Sequence, residues 1–130
     1  MDTAVSNLKV LVVDDDGEMR QLMRRILMRM NAASVVTAVS GDDALGQLER
    51  GPDAVDIVIA DWNMPGMSGI ELFRRIHSAK PRMPFLLLTG RDDAQSIIAA
   101  KAAGVPAYVV KPVTPQELDA KIAFVRRSAG

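Results

Sequence analysis

Five short apolar runs, separated by longer amphipathic segments, constrain what this chain can fold into more than any other feature of its sequence. The runs have four to six residues and are rich in valine, isoleucine and leucine, which favours strands over helices. They are almost continuously apolar, as is typical of strands buried on both faces of a parallel sheet. The runs span Leu8–Val13, Ser34–Val39, Val55–Ala60, Phe85–Leu88 and Ala107–Val110.

The segments between the runs carry the signals of helices. Apolar residues recur there at helical spacing, and the first segment places four arginines between them, which indicates a helix with a basic, solvated outer face. Gly104 stands where a helix C-terminal glycine is expected, and Thr114-Pro115 has the residues of a helix start. We predict helices from Met19 to Met30, from about Gly41 to Leu48, from Gly69 to about Ser78, from a cap at Asp92 or Asp93 to about Ala103, and from Pro115 to about Arg127.

Alternating strands and helices with short connections predict a doubly wound α/β fold, in which helices cover both faces of a five-stranded parallel sheet. The 130 residues are enough for one domain with its own core. We expect a short N-terminal tail at residues 1–7 and one domain over residues 8–128.

The composition excludes several kinds of function. The formal net charge is zero, so the overall balance indicates neither a nucleic-acid partner nor an anionic membrane. The lack of cysteine excludes thiol catalysis and cysteine metal sites, and the single histidine, His77, excludes a multi-histidine metal site. No apolar run approaches the roughly 18 residues of a membrane helix, and the first residues lack a signal-peptide core, so we expect a cytoplasmic protein.

Polar residues directly follow four of the five runs. The first run is followed by Asp14–Asp16, the third by Asp61, the fourth by Thr89 and the fifth by Lys111. Because the carboxyl ends of parallel strands meet at one edge of the sheet, we expect these side chains to converge. Clustered carboxylates suit Mg²⁺, with Mn²⁺ as the alternative, while a hydroxyl and an ammonium group suit a phosphate. A carboxylate can itself accept a phosphoryl group. The second run ends without such a residue and is expected at the sheet edge.

Two other interpretations stay open at this point. Asp14-x-Asp16-Gly17 after an apolar strand also resembles the first motif of haloacid dehalogenase-type phosphatases, in which the first aspartate is the nucleophile and the second an acid–base. The distal acidic pair of those enzymes is expected after their lysine, whereas Asp92-Asp93 precede the lysine here. The second alternative is an interaction module of the same fold that takes no phosphate, which the intact set of polar residues disfavours.

The segments at the strand ends resemble the receiver domain of two-component response regulators, and most of all its stand-alone chemotaxis type. The resemblance covers the chain from about Leu8 to Arg127 and is highly specific in combination. It implies a flavodoxin-like (βα)5 fold with strand order 2-1-3-4-5. The segments that carry it are VLVVDDD, IVIADWNMPGMSGIEL, LLLTG, IIAAKAAG and YVVKP.

The resemblance implies roles for the acidic residues. Asp61 resembles the phosphoacceptor. Asp15 resembles a direct Mg²⁺ ligand, and Asp14 resembles a carboxylate that acts partly through water. The carboxylate of Asp61 and the backbone carbonyl of Asn63 would complete the protein ligands.

The resemblance also implies a switch. Thr89 resembles the hydroxyl that moves to contact the phosphoryl group, and Lys111 resembles the lysine that pairs with that group. Tyr108 resembles the aromatic residue that turns inward when Thr89 moves. Asn63 and Arg91 occupy positions that flank the phosphoryl group and tune its lifetime.

Partners follow from the same resemblance. A receiver of this type implies a histidine kinase or a histidine phosphotransfer protein as the phosphodonor. Its target would be a downstream protein, either a flagellar motor switch or a relay component, reached through the surface of the fourth helix, fifth strand and fifth helix. We expect a monomer that is no enzyme in the ordinary sense, since it would catalyse only its own phosphorylation and dephosphorylation.

Overall fold

The computed structural model describes residues 3–51, 54–90 and 93–129. Strands and helices alternate along these residues, as the sequence predicts. The strands are β1 (Lys9–Val13), β2 (Ser34–Ala38), β3 (Ile57–Asp61), β4 (Phe85–Thr89) and β5 (Tyr108–Val110). The helices are α1 (Gly17–Arg29), α2 (Gly41–Arg50), α3 (Gly69–Ala79), α4 (Ala94–Ala102) and α5 (Pro115–Ala129).

The strands form one parallel sheet in the order β2-β1-β3-β4-β5. The predicted doubly wound fold, its strand order and the edge position of β2 are therefore confirmed. After β1 the chain runs to β2 on one side and then crosses to β3 on the other, so the strand order reverses between β1 and β3. In open α/β sheets, ligands bind outside the carboxyl ends of the strands at such a reversal.

Each face of the sheet has its own apolar core, because successive strand residues point to opposite faces. One core lies between the sheet and helices α1 and α5, and the other lies between the sheet and helices α2, α3 and α4. Leu118, Ile122 and Val125 form the inner face of α5 and are at most 1% exposed. Full burial of such a side chain contributes roughly 1.5–3 kcal/mol, so the two cores hold the strand ends in fixed positions.

Side-chain caps and one glycine fix the helix ends. Ser40, Ser68 and Asp93 each accept a hydrogen bond from the backbone N–H three residues later, at 3.0 to 3.2 Å. Asp93 is thus the cap of α4, while Asp92 lies outside the described residues. Gly104 follows α4 with a φ of 86°, as expected of a C-terminal glycine.

In the described part of the chain, none of the helices has both the length and the apolar character that crossing a membrane requires.

The third strand differs from its predicted span, Val55–Ala60, by starting and ending later. Asp56 explains the later start, because its Oδ2 accepts a hydrogen bond from the Lys9 N–H at 2.9 Å and its own N–H donates to the Lys9 carbonyl at 2.7 Å. These two bonds connect Asp56, the residue that precedes β3, to the first residue of β1 at the amino edge of the sheet. At the other end, Asp61 still pairs with β4. Asp61 is therefore held by the sheet and does not belong to the following loop.

The segment expected as an N-terminal tail packs against the domain over its described residues. Val5 is fully buried in the core beneath α1 and α5. Thr3 Oγ1 donates to the carbonyl of Met30 at 2.8 Å, and the Ala4 N–H donates to the carboxylate of Asp119 at 2.6 Å. The segment thus connects the end of α1 to the first turns of α5.

Candidate functional site

Four polar residues stand at the carboxyl edge of the sheet. Asp14 follows β1, Asp61 and Thr89 are the last residues of β3 and β4, and Lys111 follows β5. Asp14, Asp61 and Thr89 are at most 7% exposed. Their burial follows from the fold, because the strands that carry them are covered by helices on both faces.

Lys111 supplies the positive charge of this edge. Its Nζ lies 2.8 Å from Asp61 Oδ1 and 3.9 Å from Asp14 Oδ2. The Lys111 N–H also donates to the carbonyl of Thr89 at 2.8 Å, so the end of the sheet fixes the point from which the lysine side chain starts. One ammonium group faces two buried carboxylates, which leaves a net negative charge.

Asp14 is the more enclosed of the two buried carboxylates. Its Oδ1 accepts a hydrogen bond from the Asp16 N–H at 3.0 Å, whereas its Oδ2 has no hydrogen-bond partner among residues 3–51, 54–90 and 93–129. Burial raises the pKa of Asp14 above its ordinary value, the hydrogen bond from Asp16 opposes that rise, and the charge of Asp61 adds to it. A buried carboxylate oxygen without a donor is suited to a cation.

The acidic cluster fits a divalent metal ion. Asp14, Asp15 and Asp61 each offer a carboxylate oxygen, and these oxygens lie within 4.8 Å of one another. An oxygen-only set is what hard divalent cations prefer. Asp15 is exposed, so an ion held here would remain open to water and to an incoming phosphate oxygen. Asn63, whose carbonyl was the fourth expected ligand, lies in an exposed loop position two residues past Asp61.

A tight backbone contact holds both ends of the loop that follows Asp61. The Trp62 N–H donates to the carbonyl of Leu88 at 2.8 Å, and the Trp62 carbonyl accepts a hydrogen bond from the Gly69 N–H at 2.9 Å. A methyl group on Gly69 would collide with the backbone carbonyl oxygen of Asp61 and would lie 2.7 Å from Leu87 Cδ1. Glycine is therefore required for this close approach.

Thr89 and Tyr108, the two residues expected to form a switch, lie on the neighbouring strands β4 and β5. Thr89 is buried, whereas Tyr108 is half-buried and packs partly against the core beneath α2, α3 and α4. Lys121 Nζ lies 5.6 Å from the centre of the Tyr108 ring, within cation–π range. A groove of about 500 Å³ runs beside the ring and is lined by Lys101 and Phe124 among others.

Arg20 makes a contact that the pattern of arginines in α1 does not reveal. Arg24, Arg25 and Arg29 are exposed, as expected of a solvated face. Arg20 is half-buried, and its Nη1 donates to the backbone carbonyl of Asp14 at 2.8 Å. The sequence indicates this contact only by placing an arginine early in the helix that follows the acidic loop, Asp14–Asp16.

Asp16 takes no part in the cluster that Asp14, Asp15 and Asp61 form. The side chain of Asp16 accepts a hydrogen bond from the Glu18 N–H at 3.0 Å and caps α1, and it does not belong to the group of converging carboxylates. Asp16, which would be the acid–base residue of a dehalogenase-type motif, thus serves as the cap of α1. Arg91, expected to tune the lifetime of a phosphoryl group, lies outside the described residues.

A doubly wound sheet with buried carboxylates and a paired lysine at its strand-order reversal defines a class of α/β proteins that handle a phosphoryl group beside a divalent ion. The family described as response regulator receiver domain matches residues 10–123. A chemotaxis protein CheY homologue from Campylobacter jejuni subsp. jejuni is 38% identical over 117 residues, which cover 88% of this chain and 89% of that protein. This chain therefore belongs to the response regulator receiver domain family.

Solved structures agree with this family. A response regulator receiver domain protein from Clostridium thermocellum superposes with a TM-score of 0.82 at 33% identity, covering 93% of this chain and 95% of that one. The response regulator TrrA from Thermotoga maritima, in complex with Mg²⁺–BeF, has a TM-score of 0.77 at 33% identity, covering 89% of this chain and 96% of that one. The chain is a CheY-like phosphoacceptor response regulator, so the resemblance noted in its sequence is confirmed.

Proposed function

We propose that Asp61 accepts the phosphoryl group, that a phosphorylated histidine of a kinase or phosphotransfer protein donates it, and that Mg²⁺ is the metal. The observation that carries this proposal is the 2.8 Å contact between Asp61 and Lys111 beside the carboxylates of Asp14 and Asp15. The Mg²⁺–BeF complex of the Thermotoga maritima relative supports the choice of metal.

The proposed transfer forms one bond and breaks one. A carboxylate oxygen of Asp61 bonds to phosphorus while the phosphorus–nitrogen bond of the phosphohistidine breaks, and its electron pair stays on the imidazole nitrogen. Lys111 stands close enough to Asp61 to neutralise an oxygen of the incoming group. Asp14, Asp15, Asp61 and the Asn63 carbonyl would hold the metal, which supplies further neutralisation of the phosphoryl charge. Water then hydrolyses the acyl phosphate to inorganic phosphate and the free carboxylate.

The proposed output leaves through the surface formed by α4, β5 and α5. A dianionic phosphoryl group on Asp61 favours the state in which the Thr89 hydroxyl approaches it and Tyr108 turns inward. That movement would reshape the groove beside Tyr108, where Lys121 and Phe124 also lie. The target is a protein, either a flagellar motor switch or a relay component, and the chemotaxis name of the Campylobacter jejuni relative favours the first.

We also propose which residues set the lifetime of the phosphoryl group and how the domain is organised. Asn63 and Arg91 would flank the phosphoryl group and set how readily water reaches it. The receiver domain would span residues 8–128 and act as a cytoplasmic monomer. It would catalyse only the gain and loss of its own phosphoryl group.

Incubation with labelled acetyl phosphate and Mg²⁺ tests the acceptor. The wild type should gain label and Asp61→Asn should gain none. Asp16→Asn is the matched control, because asparagine keeps the helix cap and the residue lies outside the carboxylate cluster. Label that persists in Asp61→Asn, or a wild type that takes none, would contradict the proposal.

A further inference from the structure

We propose that Arg20 is a positioning residue for the acidic loop, in which it fixes the backbone that aims the carboxylate of Asp15 at the metal. The inference rests on the proposed role of Asp15 as a metal ligand. Asp15 is exposed, so packing does little to orient its side chain. Its direction must therefore come from its backbone.

The two peptide groups that flank Asp15 are both held by hydrogen bonds. The preceding group carries the Asp14 carbonyl, which accepts from Arg20 Nη1 at 2.8 Å. The following group carries the Asp16 N–H, which donates to Asp14 Oδ1 at 3.0 Å. Because peptide groups are planar, holding both planes fixes the two dihedral angles of Asp15 and thus the direction of its Cα–Cβ bond.

Arg20 can hold the loop because it is itself anchored. Its backbone N–H donates to the Asp16 carbonyl at 3.0 Å within the start of α1. Its guanidinium passes close to Gly17, where an added Cβ would lie 3.4 Å from Arg20 Nη2. On the other side, the Asp14 N–H donates to the Ala38 carbonyl of β2 at 3.1 Å. The acidic loop is thus held between the edge of the sheet and the first helix.

The charge of Arg20 and its hydrogen bond to the Asp14 carbonyl should have opposite effects on the affinity for Mg²⁺. A guanidinium beside the acidic cluster repels Mg²⁺, so removing its charge alone would tighten metal binding. Removing its hydrogen bond frees the peptide group before Asp15 and would weaken metal binding. Loss of a residue that orients a metal ligand typically weakens affinity about 10- to 100-fold, and the exposed position of Asp15 places the expected effect at about tenfold.

The test compares Arg20→Met with Arg24→Met, which removes the same charge from an exposed arginine one turn further along α1. Mg²⁺ alone is titrated while the fluorescence of Trp62, the only tryptophan and the neighbour of Asp61, is followed. Arg20→Met should bind Mg²⁺ about tenfold more weakly than the wild type, and Arg24→Met should bind it equally or slightly more tightly. In the metal-free protein, amide resonances of Asp15 and Asp16 should shift only in Arg20→Met.

The outcomes separate this inference from the proposed function. If Arg20→Met binds Mg²⁺ as tightly as Arg24→Met, the inference is overturned. If the wild type does not respond to Mg²⁺, the proposed metal site fails, while the metal-free amide shifts still test whether Arg20 holds the loop, and unshifted amides would overturn that as well. Arg20→Ala replaces Arg20→Met should the latter not fold, since alanine has the highest helix propensity.

Discussion

Replacing Asp14 with asparagine is expected to stabilise the metal-free protein at pH 7, although it removes part of the site. Asp14 is 1% exposed, and its Oδ2 has no hydrogen-bond partner within the described ranges of the chain. Asparagine has nearly the same shape, and its side-chain oxygen can keep the hydrogen bond from the Asp16 N–H. The substitution therefore removes a charge from the interior without removing volume.

The sizes of the competing interactions indicate which one dominates. Oxygens of Asp14 and Asp61 lie within 4.8 Å, so their repulsion is about 3.5 kcal/mol or more at an effective dielectric constant of about 20. At the same dielectric constant, Lys111 Nζ at 3.9 Å attracts Asp14 by about 4 kcal/mol. These interactions nearly cancel, which leaves burial as the main penalty. A buried polar atom without a partner costs about 1–3 kcal/mol. The asparagine amide is buried too and keeps part of this cost, so we expect Asp14→Asn to raise the free energy of unfolding by about 1–2 kcal/mol.

The stability gained by Asp14→Asn should increase from acidic to neutral pH. Burial raises the pKa of Asp14 in the folded protein above 3.8, so the folded state keeps this proton to higher pH than the unfolded state does. The cost of the charge is absent below the unfolded-state pKa, grows as the pH rises through the folded-state pKa, and is complete above it. The difference between Asp14→Asn and the wild type should therefore be small below about pH 4 and largest at neutral pH.

Urea unfolding in EDTA at several pH values, followed by circular dichroism, measures this difference. A gain of about 1–2 kcal/mol corresponds to a rise in Tm of roughly 3–8 °C for a domain of this size. Added Mg²⁺ should stabilise the wild type more than the variant, because a metal ion stabilises only the state that binds it. A variant that is less stable than the wild type at pH 7 in EDTA, or a difference that does not change with pH, would refute the reasoning.

Two further predictions concern the lysine and the amino-terminal segment. Lys111→Met should lower the free energy of unfolding in EDTA at pH 7 by about 2 kcal/mol, because Asp61 and Asp14 lose their counter-charge, and Lys101→Met on the exposed side of α4 is the control. An equal loss in both variants would contradict a specific role of the pair. Val5→Ala should cost about 1–3 kcal/mol in the same assay, since Val5 is fully buried, and an unchanged stability would show that its packing contributes nothing.

The sheet and the location of the site could be predicted because burial on both faces requires each strand to be apolar at nearly every position. Five such runs alternating with helical segments leave few arrangements other than a doubly wound sheet. A polar residue directly after a buried strand must then stand at the common edge. Asp61 and Lys111 are two such residues, and their charged groups lie 2.8 Å apart.

Features that depend on individual side-chain contacts, rather than on the periodic pattern of apolar residues, could not be predicted. Arg20 and Arg24 are four residues apart, as are Arg25 and Arg29, so the helical spacing does not single out Arg20. Only its hydrogen bond to the Asp14 carbonyl distinguishes Arg20 from the exposed arginines of α1. Val5 has only Ala4 as an apolar neighbour in a short polar segment, so it produces no periodic signal. Asp56 interrupts an apolar run, but its pairing with Lys9 decides where the strand begins.

The hydrogen bond between Ala4 and Asp119 joins positions that are 115 residues apart, and this has a consequence for how the chain folds during synthesis. During synthesis, Ala4 cannot take its final place until α5, which carries Asp119, has left the ribosome. Closing so long a loop in an unfolded chain is entropically costly, but strands that have already paired bring its ends together and shorten the effective loop. Ala4 is therefore among the last residues of the domain to dock, although it precedes all of its strands and helices.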